Sequence, residues 1–567
     1  MNQTTETATA PDGAHAVTTD YEIGQDNITT TIGPFGLDIH NPVFLVSGLG
    51  IFLFVIGTLM VPEAATSLFG DMMAWTTQRF DWFFILTANL FGIFCLVLIC
   101  TPLASVRLGG KDATPDYGYP AWLAMLFAAG MGIGLLFWGV GEPMTHFASS
   151  FAADAGTPES WAPLAGMPGD EVAAARLGLA ATLYHWGLQA WAIYAVVGLA
   201  LALFSFNKGL PLSIRSAFYP IFGEAVWGWV GHVIDILAVL ATLFGLATSL
   251  GLGAEQINAG LNYLYGVPVS DGAKIVLIGV ITAVALVSVV RGLDGGVKIA
   301  SEINMALAFV LLIFVFLAGP TMALVARIGD SFVAYFQYLP ALSMPFGRED
   351  TNFAQGWSSF YWAWWVSWSP FVGMFIARVS RGRTVREFIV CVLLVPSAVC
   401  LIWMSVFSGI AFDQYINDGY RAVAEADLEV KLFQMFDQMP LAQITSLVGI
   451  VLVAVFFITS SDSGSLVIDA ITAGGKTDGP IPQRVFWCTF EGLIAIALLL
   501  GGGLKALQSM VVTTGLPFTF VLLLMCVSIV LGLRSERALL KREKALGARD
   551  VGADESSLRH PTGHADG

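Results

Sequence analysis

About twelve uncharged, apolar stretches recur along the chain, and no other feature limits its fold so strongly. A bilayer hydrocarbon core about 30 Å thick is crossed by a helix of about 20 apolar residues, so each stretch predicts one transmembrane helix. An apolar content of 56% with only 12% charged residues excludes a soluble globular domain of this size. The stretches are 43–61, 83–103, 119–140, 177–206, 226–250, 275–290, 305–326, 354–377, 388–412, 441–471, 485–500 and 511–533. The sequence therefore predicts an all-α integral membrane protein with about twelve transmembrane helices.

The basic residues between these stretches indicate the orientation. Loops after even-numbered stretches are basic, for example at Arg107 and Lys111 or at Arg381 and Arg383, whereas residues 154–171, after the third stretch, include acidic residues and no Lys or Arg. Cytoplasmic loops of membrane proteins are enriched in Lys and Arg. With an even number of spans, both termini are therefore predicted to be cytoplasmic.

Three segments lie outside the apolar stretches. Residues 1–40 are rich in Thr, Asp and Gly and contain no Lys or Arg, which predicts a disordered acidic tail. Residues 534–567 begin as a charged helix and predict a cytoplasmic tail, and the aromatic segment 330–350 predicts a short interfacial helix. The net charge of −15 argues against a nucleic-acid partner.

Five tryptophans fall within the single segment 357–371, which reads WSSFYWAWWVSWSPF. On a helix Tyr361, Trp365 and Trp368 share one face. Tryptophan faces attract cations, and aromatic cages hold quaternary ammonium groups, which have no N–H to donate. Aromatic girdling at the membrane interface is the alternative, but these tryptophans extend to the middle of the span. A second aromatic group, Trp186, Trp191 and Tyr194, is either packing or the opposite wall of the same cage.

The third apolar stretch contains three closely spaced glycines, Gly130, Gly132 and Gly134. Each glycine destabilises a helix by about 1 kcal/mol relative to alanine. Transporters use broken helices of this kind to direct helix N-termini at anions and carbonyls at cations. Close helix packing through the GxxxG pair is the alternative. The sequence favours a broken helix, with a matching break at Ser369-Pro370.

The tenth stretch carries the hydroxyl-rich string FFITSSDSGS at residues 456–465. Hydroxyls and carbonyls suit a hard cation such as sodium, whereas Ser and Thr also form ordinary hydrogen bonds between membrane helices. Both interpretations stay open on the residues alone. The seven histidines appear scattered, and the GGKT string at 474–477 lacks the first glycine of a phosphate-binding loop. The sequence thus indicates neither an enzyme nor an ATP-driven pump.

Two strings, FYWAWWVSWSPFVGMFIARVSRGRTVREF and GMGIGLLFWGVGEP, closely resemble the betaine/carnitine/choline transporter family, over about residues 41–533. The resemblance implies a leucine-transporter-like fold with two inverted five-helix repeats, 119–329 and 351–533, preceded by two extra helices within 41–118. It further implies a homotrimer among the lipids of a bacterial inner membrane.

The family resemblance also implies a substrate site. A small zwitterionic or cationic trimethylammonium or dimethylsulfonium substrate would occupy a box formed by Trp186, Tyr194, Trp364, Trp365 and Trp368. The backbone of Ala129, Gly130 and Gly132 would face the substrate carboxylate. Choline carriers of the family tend to have an Asp where this chain has Gly134, so the glycine points to betaine-like zwitterions.

Sodium is the coupling ion that the resemblance implies, with no organic cofactor. The first implied sodium site comprises the carbonyls of Ala128, Met131 and Phe456 and the hydroxyls of Thr459 and Ser460. The second implied site comprises Thr242, Phe371 and Tyr194, but Leu246 stands where a further threonine is expected. Because leucine cannot ligate sodium, the second site and the stoichiometry stay open, and Glu255 keeps proton coupling open as well.

The resulting expectation is sodium-coupled uptake of a quaternary ammonium or sulfonium osmolyte, of the glycine betaine or dimethylsulfoniopropionate type. The alternative is proton-coupled or exchange transport of choline, carnitine or related betaines. A membrane-embedded enzyme is disfavoured, since no acid/base or metal cluster is apparent in the sequence.

Overall fold

The computed structural model describes residues 15–33, 35–130, 132–157, 159–291 and 297–558, and these are nearly all helical. A short hairpin comes first, with β1 (Asn27–Ile32) antiparallel to β2 (Phe35–His40). The first helices are α1 (Val43–Met60), α2 (Pro62–Cys100), α3 (Tyr119–Gly130), α4 (Ile133–Phe151), α5 (Glu171–Trp186), α6 (Leu188–Ala202), α7 (Tyr219–Phe222), α8 (Trp229–Tyr265), α9 (Asp271–Arg291) and α10 (Val297–Ala318). The remaining helices are α11 (Thr321–Leu342), α12 (Thr351–Phe353), α13 (Ser359–Val379), α14 (Val385–Ile416), α15 (Ala422–Glu425), α16 (Lys431–Asp437), α17 (Ala442–Thr472), α18 (Ile481–Leu500) and α19 (Gly503–Leu558).

The membrane-spanning character predicted from the sequence is confirmed. Within the described ranges, 10 helices are long and apolar enough to cross a bilayer, or 11 if the bent pair α3–α4 forms one span. The count falls short of twelve because the tryptophans and serines of α13 lower its mean hydropathy. The division into two inverted repeats stays a prediction.

The predicted break in the third apolar stretch is confirmed. Helix α3 ends at Gly130, α4 begins at Ile133, and the two helices are bent by 60°. Gly132 between them is extended, with φ −169° and ψ −175°. The matching break predicted at Ser369-Pro370 is wrong, because α13 continues through both residues.

Burial differs sharply between the helices. The range Glu171–Asn207 contains α5 and α6, and 94% of the residues in its most apolar 18-residue segment are buried. In the corresponding segment of Ile299–Ala318, on α10, only 22% are buried. Helix α13 packs mainly on α6 and also on α8 and α19. The tryptophan-rich helix thus lies at the centre of the protein, whereas α10 is exposed on the outside of the bundle.

The tails differ from the prediction in one respect. Residues 27–40 are not disordered, because they form the β1–β2 hairpin. Asp38 on β2 is held by Lys476 at 2.5 Å and, through its backbone N–H, by Gln483 at 2.7 Å. These partners lie far away in the sequence, so composition alone does not reveal them. Residues 1–14 of this predicted tail lie outside the described ranges.

Two other predicted boundaries are replaced by the observed helix bounds. The segment predicted as a short interfacial helix over 330–350 is part of α11, which begins at Thr321 and ends at Leu342. The charged helix predicted after residue 533 is continuous with the last apolar stretch, because α19 runs from Gly503 to Leu558.

Candidate functional site

A cavity of about 210 Å³ lies where the bent pair α3–α4 meets α5, α6, α13 and α17. Aromatic rings dominate its wall, and they include all five aromatic residues predicted for the substrate box. The aromatic lining residues are Trp186, Trp191, Tyr194, Trp364, Trp365, Trp368, Phe371, Phe375 and Phe456. The two aromatic groups that sequence reasoning treated separately therefore line one cavity.

The rings form perpendicular walls rather than a flat stack. The ring centroids of Trp186 and Trp365 are 4.9 Å apart with an interplanar angle of 82°. Tyr194 stands at 84° to Trp365, and Trp364 stacks on Trp365 at 5.2 Å and 14°. Trp368 stands at 73° to Trp364. Ring faces turned in several directions around a small volume are the arrangement that an aromatic cage requires.

Tyr361 is not part of this wall, although it shares a helix face with Trp365 and Trp368 by sequence spacing. It is completely buried, and its hydroxyl donates a 2.5 Å hydrogen bond to Oε2 of Glu142. The face predicted from the spacing therefore continues beyond the cavity, into a polar cluster behind it.

Gly134 is required by the close approach of the cage rings. An ideal Cβ at Gly134 would lie 2.5 Å from Cη2 of Trp186 and 3.5 Å from Cη2 of Trp364. The first distance is shorter than real Cβ contacts, so any side chain here would displace the indole. Gly132 also lines the cavity and has no atom within 4 Å of its Cβ position. Ala129 and Gly130 are the last residues of α3.

Oxygen-bearing residues of the first predicted sodium set line the same cavity. Ala128 comes from α3, and Phe456, Thr459 and Ser460 come from α17. The Thr459 hydroxyl donates to the carbonyl oxygens of Val455 and Phe456 at 3.0 and 3.2 Å, which leaves its lone pairs available. Met131, the remaining member of the set, lies outside the described residues. Ser249, Ser301 and Ser463 also line the cavity; Ser463 belongs to the hydroxyl-rich string 456–465, whereas Ser249 and Ser301 were not predicted from the sequence.

Only part of the second predicted sodium set lines the cavity. Tyr194 and Phe371 line the cavity, but Thr242 is not among its lining residues and donates its hydroxyl to the Ala238 carbonyl at 2.7 Å. Leu246 is completely buried and lies against Gly464 of α17. At the position where the family resemblance places a threonine, this chain therefore has an apolar helix contact.

Glu255, which sequence reasoning left unassigned, has a partner. Its carboxylate lies 2.7 Å from Nζ of Lys274, and both side chains are mostly buried. An ion pair of this kind compensates the charge of Glu255 locally. This weakens the reason for considering Glu255 as a proton carrier.

A buried polar cluster lies behind the aromatic wall and was not predicted from the sequence. Oε1 of Glu142 lies 2.6 Å from Nδ1 of His185 and 3.2 Å from Nε2 of His146. Oε2 accepts hydrogen bonds from Nε1 of Trp186 at 2.9 Å and from the Tyr361 hydroxyl. The apparent scatter of the histidines was misleading, because α4 and α5 bring two of them onto one carboxylate.

Glu142, His146 and His185 are residue types that bind transition metals, and their ligand atoms lie within 4.8 Å of one another. Both carboxylate oxygens, however, are already hydrogen-bonded to protein groups. His185 also connects the cluster to the opposite wall, since its backbone carbonyl accepts a 2.8 Å hydrogen bond from Nε1 of Trp365. The cluster thus fixes two of the cage tryptophans.

The chain is similar to known proteins over almost its whole length. The profile of the betaine/carnitine/choline family transporters matches residues 42–538. A glycine betaine/proline/choline transporter of Vibrio parahaemolyticus is 64% identical over 530 residues, which cover 93% of this chain and 96% of the relative. Glycine betaine transporter 1 of the same organism is 55% identical and covers 92% and 98%. The glycine betaine transporter OpuD of Bacillus subtilis is 41% identical and covers 87% and 94%.

Proposed function

Because the chain belongs to the betaine/carnitine/choline family of transporters, we propose that it takes up glycine betaine or a closely similar ammonium or sulfonium osmolyte, driven by sodium. The observation that carries this proposal is the aromatic cavity, whose perpendicular tryptophans stand 4.9 Å apart. Relatives named as glycine betaine transporters support the same substrate class.

The cavity chemistry fits the cationic end of such a substrate. A trimethylammonium or dimethylsulfonium group has no N–H, so hydrogen-bond acceptors cannot hold it. Indole faces attract such a group by about 2 kcal/mol or more each when water is excluded. Trp186 and Trp365 are more than nine-tenths buried, Trp368 is partly buried, and all three line the cavity, which favours a strong interaction.

The bent pair α3–α4 fits the anionic end of a zwitterion. Helix α4 begins at Ile133, and Gly132, Ile133 and Gly134 all line the cavity. The first N–H groups of a helix have no partners within the helix, and together with the helix dipole they attract carboxylates. A betaine would therefore place its carboxylate near the start of α4 and its ammonium group among the rings.

Sodium coupling is supported by oxygen-bearing residues that also line the cavity. The set consists of the Ala128 and Phe456 carbonyls and the Thr459 and Ser460 hydroxyls, which are suitable ligands for a hard cation. One positive charge moving inward across 100 mV provides about 2.3 kcal/mol, enough for roughly fifty-fold accumulation. Such accumulation suits an osmolyte carrier.

The named relatives and the family resemblance differ on whether choline is also a substrate. The 64% identical relative is named for glycine betaine, proline and choline, whereas the family resemblance at Gly134 favours zwitterions over choline. We propose betaine-like zwitterions as the principal substrates. We further propose that the protein is a homotrimer of the bacterial inner membrane with both termini in the cytoplasm.

Uptake of radiolabelled glycine betaine into proteoliposomes tests the proposal. The membrane potential and pH are held constant while external sodium is replaced by potassium. Accumulation that requires sodium is the expected result. Accumulation that is unchanged in potassium would instead favour proton-coupled or exchange transport, and absence of any uptake would refute the substrate assignment.

A further inference from the structure

The hydrogen-bond partners of Glu142 indicate its charge state. Its side chain is completely buried, and four groups approach its two oxygens as hydrogen-bond donors. A protonated carboxyl group would have to donate one hydrogen bond, whereas an ionised carboxylate only accepts. The Trp186 N–H can only donate, and the Tyr361 hydroxyl has no other acceptor among the described residues, so both donate to Oε2 in the pattern of an ionised carboxylate.

The two histidines do not neutralise this charge. Nε2 of His185 lies 3.0 Å from the Ser358 hydroxyl, and its complete burial favours the neutral ring, which donates from Nδ1 to Glu142 and accepts from Ser358. Nδ1 of His146 is buried without a hydrogen-bond partner in the described part of the chain. A charged imidazolium would leave an N–H unpaired at that atom, which is costly. With both rings neutral, the cluster carries a net charge of −1.

No lysine or arginine forms an ion pair with Glu142 among the described residues. Arg348 is the basic residue whose field reaches His185, but it is paired with Asp350 at 2.7 Å. A buried charge without a counter-charge is unfavourable. The cavity on the other side of Trp186 is where the proposed substrate would bring a positive charge.

We infer that ionised Glu142 is the counter-charge of the substrate ammonium group and acts on it through Trp186. This inference rests on the proposed function. The indole N–H of Trp186 donates to the carboxylate at 2.9 Å, which polarises the ring and makes its face more negative. The same charge, which is completely buried, attracts the cation directly through the protein interior, where electrostatic interactions are stronger than in water. Glu142 does not line the cavity, so it is a positioning and specificity residue rather than a contact residue.

The geometry links this electrostatic role to the shape of the cage. Glu142 holds Trp186, and the backbone carbonyl of His185 holds Trp365, so the two perpendicular rings are anchored to the same cluster. A purely structural role and a charge role therefore make different predictions. Loss of structure weakens every ligand that fills the cage, whereas loss of charge weakens only ligands with a positive charge.

The test compares glycine betaine with tert-butylacetate, in which a carbon atom replaces the quaternary nitrogen. The two ligands have the same shape and the same carboxylate, and they differ by the positive charge. Their dissociation constants are measured with purified full-length protein, in direct binding and in competition. For Glu142→Gln we expect the betaine dissociation constant to rise about tenfold, with that of tert-butylacetate changing less than about twofold.

Tyr184→Phe is the control, because it removes a completely buried hydroxyl that has no hydrogen-bond partner among the described residues, on α5 beside His185 and Trp186. It is expected to change neither constant. If Glu142→Gln does not fold, Tyr361→Phe serves instead, since it removes a donor and keeps the carboxylate. The preference for betaine over tert-butylacetate should then be retained.

A parallel rise of both constants in Glu142→Gln would overturn the inference in favour of a structural role, as would an unchanged betaine constant. Loss of the preference in Tyr361→Phe would also overturn it. Wild-type protein that binds no betaine would overturn the proposed function, and the inference with it.

Discussion

Replacing Gly134 by alanine adds a single methyl group at the point where the cage is most tightly packed. The new Cβ would lie 2.5 Å from Cη2 of Trp186, whereas ordinary contacts begin at 3.4 Å, so the ring must move by about 1 Å. The ring cannot slide away freely, because its other end is held by Glu142 at 2.9 Å. Substrate binding requires the original ring position, so an overpacking cost of about 1–3 kcal/mol corresponds to a rise in the betaine KM of roughly fivefold to 150-fold.

The folding stability should fall by less than this overpacking cost, because the better helix propensity of alanine offsets part of it. Alanine is a better helix former than glycine by up to about 1 kcal/mol, and Gly134 lies in the first turn of α4. Gly279→Ala on α9 is the matched control, because its Cβ position has no atom within 4 Å. Betaine uptake kinetics and thermal unfolding of both variants provide the measurements. A Gly134→Ala variant with an unchanged KM would refute the close fit between the glycine and the indole.

Three further predictions follow from the site and the tails. Trp365→Ala should raise the betaine KM by about 30-fold, because it removes a desolvated cation–π interaction of about 2 kcal/mol. Trp75→Ala, at a half-exposed position, is the control. An equal effect of the two substitutions on betaine uptake would contradict the aromatic cage. Thr459→Ala should raise the sodium concentration needed for half-maximal uptake at least tenfold. An unchanged sodium titration would show that Thr459 is not a sodium ligand. His15 contacts Glu536 and Glu543 at 2.9 and 2.8 Å. Burial lowers the pKa of His15, but the two carboxylates outweigh burial and raise this pKa above its ordinary value. The contact should therefore hold at acidic pH and weaken as the pH rises through the raised pKa. Hydrogen exchange near Glu536 should therefore increase with pH beyond the intrinsic rate in the wild type and not in His15→Gln.

Much of the fold was predictable because the bilayer imposes a simple rule on helix length. Each of the twelve apolar stretches falls on helical segments, most of them on a single helix, and the glycine-rich break between α3 and α4 was predictable from the sequence. The failure at Ser369-Pro370 has a local reason. The Ser369 hydroxyl donates to the Val366 carbonyl at 2.6 Å, and the tightly packed core keeps α13 helical across the proline.

The candidate site was only partly predictable, because its second layer depends on contacts between distant segments. The aromatic spacing on α13 correctly placed Trp365 and Trp368 on one cavity, but it could not reveal that Tyr361 turns to Glu142. Glu142 and His185 are far apart in sequence and meet only when α4 packs on α5. The hairpin at 27–40 was missed for the same reason, since its polar sequence is held by residues beyond α17.

Equilibrium binding of radiolabelled glycine betaine to purified wild-type and Trp368→Leu protein, in sodium and in potassium, tests the central claim most directly. If the aromatic cavity holds the substrate, the wild type should bind betaine saturably and more tightly in sodium. Trp368→Leu should lose most of this affinity while it unfolds at a similar temperature. Saturable binding that Trp368→Leu leaves intact would contradict the account, because the substrate would then occupy a site other than this cavity.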